Sequence, residues 1–164
     1  MPDPTPATDP YEPRLHVVLY QPEIPYNTGS VGRTCVALGA KLWLVRPLGF
    51  QVDHHNLRRA GLDYWQHLAW EVVDDWRALT ERLPFERFWC FTKFAKRNYT
   101  DARFQEGDVL LFGRESQGLP EEIRTAAGDR AVSFPTRSEV RSLNLSNCVA
   151  IAGYEALRQW ESAG

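Results

Sequence analysis

The sequence has little that would place it in a membrane, a secretory pathway or a metal-stapled fold. No apolar run approaches the ~18 residues of a membrane span, and no basic-then-apolar signal segment opens the chain. Cys35, Cys90 and Cys148 are widely separated without a C-x-x-C spacing, so we expect reduced, buried thiols rather than disulfides or zinc ligands. The adjacent His54 and His55 have no third ligand at a useful spacing. These features predict a soluble cytoplasmic protein without a metal site.

The sequence also lacks a strong excess of charge of either sign. It has 164 residues, with 19 basic and 21 acidic side chains. Five of the eleven prolines and the whole net charge of −2 fall in residues 1–14, which leaves residues 15–164 neutral. We predict a disordered, proline-rich tail at 1–14 and a single domain at 15–164. The balance argues against a polybasic chain but allows local basic patches.

Short apolar runs and helical periodicities alternate along the predicted domain. Strands are predicted at 15–20, 41–45, 67–73, 87–92, 109–112 and 131–134. Helices are predicted at 28–38, 53–60, 75–83, 120–127 and 145–160. This alternation predicts an α/β fold, in which helices flank a mostly parallel sheet. Ligands of such sheets bind beyond the carboxyl ends of the strands, so the loops that follow strands are the candidates for chemistry.

The first polar loop, residues 27–34, leads from the first strand into a helix. Its small residues and the N–H groups of a helix start could hold an anion, and Arg33 could reach the same anion. The Rossmann G-x-G-x-x-G spacing and a Walker lysine are both missing. An ordinary helix start with a solvated arginine is therefore an equally good interpretation of this loop alone.

Two later loops are also rich in polar residues, and the first of them contains two glycines. Residues 113–120 set polar side chains between Gly113 and Gly118, which suits a flat ligand but also an ordinary strand–turn–helix connection. Residues 140–150 open the last helix, with Ser142 or Asn144 as its N-cap. The uncharged polar residues there need partners, which favours a ligand or a second chain over capping alone.

Taken in order, the three loops resemble the three motifs of the SPOUT RNA ribose methyltransferases. The shared patterns are Asn-Thr-Gly-x-x-x-Arg at 27–33, Phe-Gly-x-Glu-x-x-Gly-Leu-Pro at 112–120 and Arg-Ser-Leu-Asn-Leu-Ser-Asn at 141–147. The spacing is most similar to that of the minimal single-domain branch, the tRNA (cytidine/uridine-2′-O-)-methyltransferases that act on the wobble nucleotide of the anticodon loop. Residues 19–25 and 57–64 also look like that branch, so the resemblance covers residues 15 to about 160.

The resemblance implies a carboxyl-terminal trefoil knot, a homodimer joined through the last helix, and RNA contacted by both subunits. It also implies S-adenosylmethionine as the cofactor, S-adenosylhomocysteine as the product and no metal. The cofactor contacts it implies are Phe91, Thr92, Gly113, Arg114, Glu115, Phe134, Thr136, Ser142 and Leu143. Phe91 and Phe134 depart from the aliphatic residues that the family pattern leads us to expect.

The resemblance makes Arg33 the catalytic residue, with Asn27, Ser146, Asn147 and Tyr154 nearby. Methyl transfer to a ribose 2′-hydroxyl requires that the oxygen be aligned with the methyl donor and helped to lose its proton. Because arginine stays protonated in proteins, it is a poor base. Our hypothesis is that Arg33 grips the adjacent phosphate and orients the hydroxyl, while the proton goes to that phosphate or to solvent.

The candidate RNA-binding residues lie in short basic clusters. Four basic residues and interleaved aromatics occupy 93–103, a composition that suits phosphate contacts and base stacking, although a solvated loop is the plain alternative. Smaller clusters occur at 58–59 and at 137–141. The RNA-binding candidates are Arg58, Arg59, Lys93, Lys96, Arg97 and Arg141.

Three other functions compete with wobble-nucleotide methylation. The nearest is 2′-O-methylation at another tRNA or rRNA site, although such relatives usually carry an added RNA-binding domain. A second is a catalytically inactive, knotted RNA-binding protein, which the presence of Arg33, Gly113 and Ser142 disfavours. A nucleotide-dependent oxidoreductase is disfavoured by the missing Rossmann spacing. The last helix carries Ile151, Leu157 and Trp160 besides its main apolar stripe, which favours a dimer or a helix buried on two sides within one chain.

Overall fold

The computed structural model of the chain describes residues 12–52 and 65–163. Most of the predicted tail, the predicted helix at 53–60, and Arg58 and Arg59 lie outside the described residues.

In the part of the chain that the structure describes, six parallel strands form one sheet. They are β1 (Leu15–Tyr20), β2 (Ala40–Val45), β3 (Trp70–Val73), β4 (Phe88–Phe91), β5 (Val109–Phe112) and β6 (Ala131–Val132). The order across the sheet is β3-β2-β1-β5-β4-β6, and each neighbouring pair is parallel. The predicted parallel α/β sheet is confirmed. The order changes direction between β1 and β5, and the crevice beyond such a switch point is where ligands of these sheets bind.

The helices cover both faces of the sheet. They are α1 (Pro25–Leu38), α2 (Trp76–Arg82), α3 (Glu121–Ala127) and α4 (Leu145–Ala163). Helix α1 begins three residues before the predicted start, because Pro25 supplies the fixed φ that suits a first helical turn. The predicted strand at 67–73 is too long, since Trp65–His67 forms a 3₁₀ turn and β3 begins only at Trp70.

Alternate residues of each strand enter two separate apolar cores. Leu15, Val17 and Leu19 of β1 pack on the side of α1 and α4, while Val18 packs on the side of α2 and α3. The α4 residues predicted to face the protein are buried, apart from the half-buried Trp160. Helix α4 crosses α1 so closely that a Cβ on Gly153 would lie 2.3 Å from Leu38 Cδ1. Within the described residues no helix has the length and apolarity needed to cross a bilayer.

The cysteines are free thiols, as predicted. Cys35 and Cys90 are buried, and burial raises the pKa of both, that of Cys90 to about 12. Cys148 is only half-buried, with a pKa raised by burial to about 11. Thiols with such raised pKa values are protonated and unreactive near neutral pH.

A partly buried imidazole, that of His16, lies between the amino-terminal ends of β1 and β2. Trp43 Nε1 donates to His16 Nδ1 at 3.0 Å, so the ring accepts at that nitrogen and is neutral. Burial, followed by the charges of Lys41 and Arg87, lowers the pKa of His16 to about 4. A protonated ring would lose the tryptophan hydrogen bond and face two cations.

We therefore predict that the protein loses stability in mild acid through His16. Below pH 6.5 the unfolded chain takes up a proton that the folded chain refuses until about pH 4. The free energy of unfolding should fall by up to about 3 kcal/mol across that interval, at 1.36 kcal/mol per pH unit. Urea denaturation of wild type and His16→Gln at several pH values measures this. Equal pH dependence in the two proteins between pH 7 and 4 would contradict it.

Candidate active site

A cavity of 760 Å³ lies beyond the carboxyl ends of β4 and β5, beside the start of α1. This volume is in the range of small-molecule and cofactor sites. All three polar loops singled out in the sequence contribute to its wall. The nine predicted cofactor contacts all line it: Phe91, Thr92, Gly113, Arg114, Glu115, Phe134, Thr136, Ser142 and Leu143.

The apolar wall of the cavity is a stack of aromatic rings. Phe91 and Phe112 are register neighbours on β4 and β5, and their ring centroids lie 4.6 Å apart in a stacked arrangement. Phe134 stacks on Phe91 at 5.3 Å and contacts Tyr99 at 4.9 Å. Such offset pairs contribute beyond their buried area. The aromatic residues at 91 and 134 thus support one another, which accounts for their departure from the expected aliphatic pattern.

The loop after β5 folds tightly back on itself. The main chains of Arg114 and Gly118 bond to each other in both directions, at 2.8 and 3.2 Å. A Cβ on Gly113 would lie 2.2 Å from the carbonyl carbon of Gly118, a distance that real side chains do not adopt. Glycine at 113 is therefore required by the loop's own closure. The sequence suggested the approach of a ligand as the reason, and the structure supplies this different one.

The carboxylate of Glu115 caps the amino terminus of α1. Its oxygens accept from the main-chain N–H groups of Ile24 at 2.7 Å and Glu23 at 3.0 Å, and Asn27 Nδ2 lies at 3.4 Å. Negative charge at this position also interacts favourably with the helix dipole. The side chain of Glu115 is thus engaged within the protein, at the wall of the cavity.

A second carboxylate, that of Glu23 in the loop after β1, accepts hydrogen bonds from the loop after β5. Glu23 accepts from the main-chain N–H of Ser116 at 2.9 Å and from its hydroxyl at 2.8 Å. These bonds lower the pKa of Glu23. We call the Glu115 and Glu23 contacts together the carboxylate clamp. The clamp joins the loop that follows β1 to the loop that follows β5.

The third predicted loop, at the start of α4, is joined to the first by a hydrogen bond between two asparagines. Asn144 Nδ2 donates to Asn27 Oδ1 at 3.2 Å, and Asn27 is buried. Asn144 Oδ1 accepts from the N–H of Ser146 at 2.9 Å, which makes Asn144 rather than Ser142 the N-cap of α4. Hydrogen bonds thus run from Glu115 through Asn27 and Asn144 to Ser146. The sequence predicted Asn144 only as a possible cap. Its hydrogen bond to Asn27 was not predicted, because the two residues are 117 positions apart along the chain.

The predicted catalytic residues are not all at the cavity. Asn27 lines it, and Ser146 is half-buried at the start of α4. Ser146, Arg33, Asn147 and Tyr154 are not among the described residues that line the cavity. Arg33 is exposed on α1, and Asn147 and Tyr154 are exposed on α4. The structure therefore connects Ser146 to Asn27 only through Asn144, and it places the other three outside the cavity wall.

The predicted RNA-binding residues divide into two groups. Lys93 and Arg141 line the cavity. Lys96 is exposed and lies three residues after Lys93 in the sequence. Arg97 instead donates to the carbonyls of Asp129 at 3.0 Å and Asp101 at 2.9 Å. The Arg97 guanidinium thereby holds the loop in shape, which was not predicted. Over residues 12–52 and 65–163, no group of three or more metal-ligating side chains occurs.

A parallel sheet with three loops joined around one cavity beyond the carboxyl ends of its strands is typical of nucleotide- and cofactor-binding proteins of the α/β class. Comparison with known proteins narrows that class. The model of the SpoU rRNA methylase family matches residues 14–154, and the chain belongs to this family.

Several relatives are similar over most of their length. The tRNA (cytidine(34)-2′-O)-methyltransferase of Methylovorus glucosotrophus is 45% identical, over 90% of this chain and 97% of that protein. A protein whose structure was solved for insight into the 2′-OH methylation of C/U34 on tRNA is 49% identical in sequence to this chain. The two structures superpose with a TM-score of 0.83, over 90% of this chain and 97% of the solved chain. The SpoU methyltransferase AviRb from Streptomyces viridochromogenes, solved with AdoMet, is 26% identical, with a TM-score of 0.80 over 97% of this chain and 63% of its own.

We predict that the carboxylate clamp carries much of the local stability. Glu115→Ala leaves two main-chain donors at the start of α1 without their acceptor, and should lower the free energy of unfolding by about 2 kcal/mol. Glu115→Gln keeps one accepting oxygen and should cost about 1 kcal/mol. Urea denaturation measures both, with the exposed Glu122→Gln of α3 as control. A Glu115→Ala protein as stable as that control would show that the clamp does not stabilise the fold.

Proposed function

We propose that the protein transfers a methyl group from S-adenosylmethionine to the ribose 2′-hydroxyl of nucleotide 34, the wobble nucleotide, in the anticodon loop of tRNA. The observation that carries the proposal is the joining of all three motif loops around one cavity, in a chain 45% identical to a tRNA (cytidine(34)-2′-O)-methyltransferase over nearly the full length of both. The partner is therefore tRNA, and a cytoplasmic location follows from that substrate.

The cavity fits S-adenosylmethionine by the chemistry of its wall. The stacked rings of Phe91 and Phe134 offer an apolar surface for adenine, and the polar loops offer main-chain groups for the ribose and amino acid. Arg114 Nε is buried without a hydrogen-bond partner among the described residues, so a bound molecule would satisfy it. When bound, the cofactor supplies an electrophilic methyl group on a sulfonium. Phe91, Thr92, Gly113, Arg114, Glu115, Phe134, Thr136, Ser142 and Leu143 would hold it.

The chain's own residues would position the ribose and take part in releasing its proton. Asn27, which lines the cavity, would orient the ribose through its amide, and Ser146, whose hydroxyl donates to Asn144 Oδ1, would assist from the first turn of α4. Arg33 would grip the phosphate beside the target and so fix the hydroxyl, with Asn147 and Tyr154 on the same exposed side. The hydroxyl proton would leave to phosphate or solvent, because a guanidinium stays charged.

A homodimer accounts for the exposed apolar residues of α1 and α4. Tyr26, Ile151 and Tyr154 are exposed large side chains on these helices, and the exposed Ile24 lines the cavity immediately before α1. An exposed apolar surface of this kind is typical of a subunit interface. A second copy seated there would carry its own Arg33 toward the open side of the cavity, which a single chain leaves without that residue.

A carboxyl-terminal trefoil knot is the second structural part of the proposal. Arg141 Nη2 donates to the carbonyl of Ser116 at 3.3 Å, and Asn144 bonds to Asn27. These contacts hold the segment before α4 against the loop after β5, which is the neighbourhood that a threaded chain requires. Knots are rare among protein folds, so this arrangement departs from the general rule.

The second candidate function is methylation of a ribose elsewhere in tRNA or rRNA. The family description as rRNA methylases favours it. An inactive RNA-binding role is the third, and it predicts no transfer to any RNA. One experiment separates the three: unmodified total tRNA and rRNA are incubated with the protein and labelled S-adenosylmethionine, and the methyl group is mapped by mass spectrometry. Label on the 2′-oxygen of nucleotide 34 supports the proposal, whereas label on a base or at another ribose overturns it.

We predict that Arg33 acts through bidentate orientation. Arg33→Ala should lower kcat by at least about 100-fold, since misplacing the reacting hydroxyl by about 1 Å costs that much. Arg33→Lys keeps the charge but loses the planar fork, and should still lose most of the activity. Both variants should bind S-adenosylmethionine as wild type does. Near-normal turnover by Arg33→Lys would refute bidentate orientation.

We predict that the dimer depends on the exposed face of α4. The protein should sediment at twice its chain mass of 18.8 kDa. Ile151→Asp should weaken association at least tenfold, because an unpaired charge in an apolar interface is costly. Arg77→Glu, on the far side of the sheet, is the matched control and should leave the dimer intact. A wild-type protein that sediments as a monomer at micromolar concentration rules the dimer out.

A further inference from the structure

One aromatic ring stands at the cavity mouth and belongs to neither core. Phe94 is 62% exposed, yet it lines the cavity, in the turn three residues after the end of β4. Among the described residues, both apolar clusters leave it out. Exposure of one phenylalanine is common in itself, but its place in the wall of the cavity makes this ring accessible to a bound molecule.

Two cations accompany this ring. The guanidinium carbon of Arg124 lies 4.2 Å from the ring centroid, and Lys93 Nζ lies 5.3 Å from it. Arg124 is fixed in place by the bond from its Nε to the carbonyl of Leu119 at 3.3 Å. The Arg124 guanidinium thus already lies over the ring, and Lys93 adds a second positive charge beside it.

The loop that presents the ring is anchored at both ends. Thr92 accepts from the N–H of Phe94 through its hydroxyl at 3.3 Å, and from the N–H of Ala95 through its carbonyl at 3.2 Å. Arg97, three residues on, is held by two carbonyls of other segments. A fixed ring loses little conformational freedom when a partner stacks on it, which favours binding.

We propose that Phe94 is a stacking platform for an unpaired base of the RNA substrate, with Arg124 and Lys93 contacting the phosphates beside that base. This inference rests on the proposed function and deepens it, since it names the surface that receives nucleotides next to the target ribose. Every base has a π face, so an aromatic platform accepts any sequence, while lysine and arginine supply the attraction to phosphate. The sequence marked Lys93 as a phosphate contact, but gave no sign that Arg124 of α3 would join it.

The cofactor adenine is the other molecule that could cover Phe94, and the two occupants predict different results. A platform for RNA predicts that Phe94→Ala raises KM for tRNA about tenfold or more, with kcat and the Kd for S-adenosylmethionine little changed. Phe94→Trp should restore KM, and Phe94→Leu, which keeps apolar bulk without a π face, should not. A Phe94→Ala protein that loses cofactor affinity while its KM for tRNA stays normal overturns the inference.

The salt dependence of RNA binding separates stacking from phosphate contact. Binding of an anticodon stem–loop RNA is measured with S-adenosylhomocysteine present, so that catalysis plays no part. Arg124→Ala and Lys93→Ala should each reduce the slope of log affinity against log salt by about one, whereas Phe94→Leu weakens binding without changing the slope. Arg77→Ala, an exposed cation 87% accessible on α2, is the matched control and should change neither quantity. Unchanged slopes in both cation variants overturn the assignment of the phosphates.

Failure of this inference is distinguishable from failure of the proposed function. If the wild-type protein neither binds nor methylates tRNA, the proposed function is wrong and the platform falls with it. If wild type methylates nucleotide 34 and Phe94→Ala does so with an unchanged KM for tRNA, only the platform is wrong.

Discussion

The site depends on one carboxylate placed at the start of one helix. Glu115 accepts the main-chain N–H groups of Glu23 and Ile24, which α1 cannot satisfy within itself. Because Glu115 belongs to the loop after β5 and α1 follows β1, this contact closes the crevice at the switch point of the sheet. Glu23 returns the bond to Ser116, so neither loop can move without breaking hydrogen bonds at both ends.

The remaining parts of the site build on that closure. Asn27 is held beside Glu115 on the first buried turn of α1, and from there it accepts from Asn144 at the start of α4. The amino termini of the two long helices are thereby fixed relative to one another and to β5. The aromatic stack of Phe91, Phe112 and Phe134 completes the wall from the sheet side. A ligand would meet surfaces that are already in position, which lowers the entropic cost of binding.

The sequence predicted those features of the fold that depend on residues close together along the chain. Strands β1 and β5 have the predicted bounds, and Gly39 ends α1 in the left-handed conformation that glycine adopts readily. The start of α1 at Pro25 was missed because its cap comes from Glu115, 91 residues away. Gly113 was noticed for a different reason, since only folded coordinates show that Gly118 occupies the space of a Cβ. The nine cofactor candidates came from motif resemblance, and the fold brings all of them to one cavity.

The residues proposed for catalysis are divided between the cavity and the exposed faces of two helices, and this division is a chemical argument for the proposed dimer. One chain gathers the groups suited to a cofactor, together with Asn27, but it leaves Arg33 of α1, and Asn147, Ile151 and Tyr154 of α4, exposed outside the cavity wall. Exposed apolar residues beside a needed cation are unfavourable unless something covers them. In the proposed dimer a second copy would cover the apolar residues and, by symmetry, would bring a second Arg33 to the first chain's open side. The same pairing would join two sets of basic residues into one surface for tRNA.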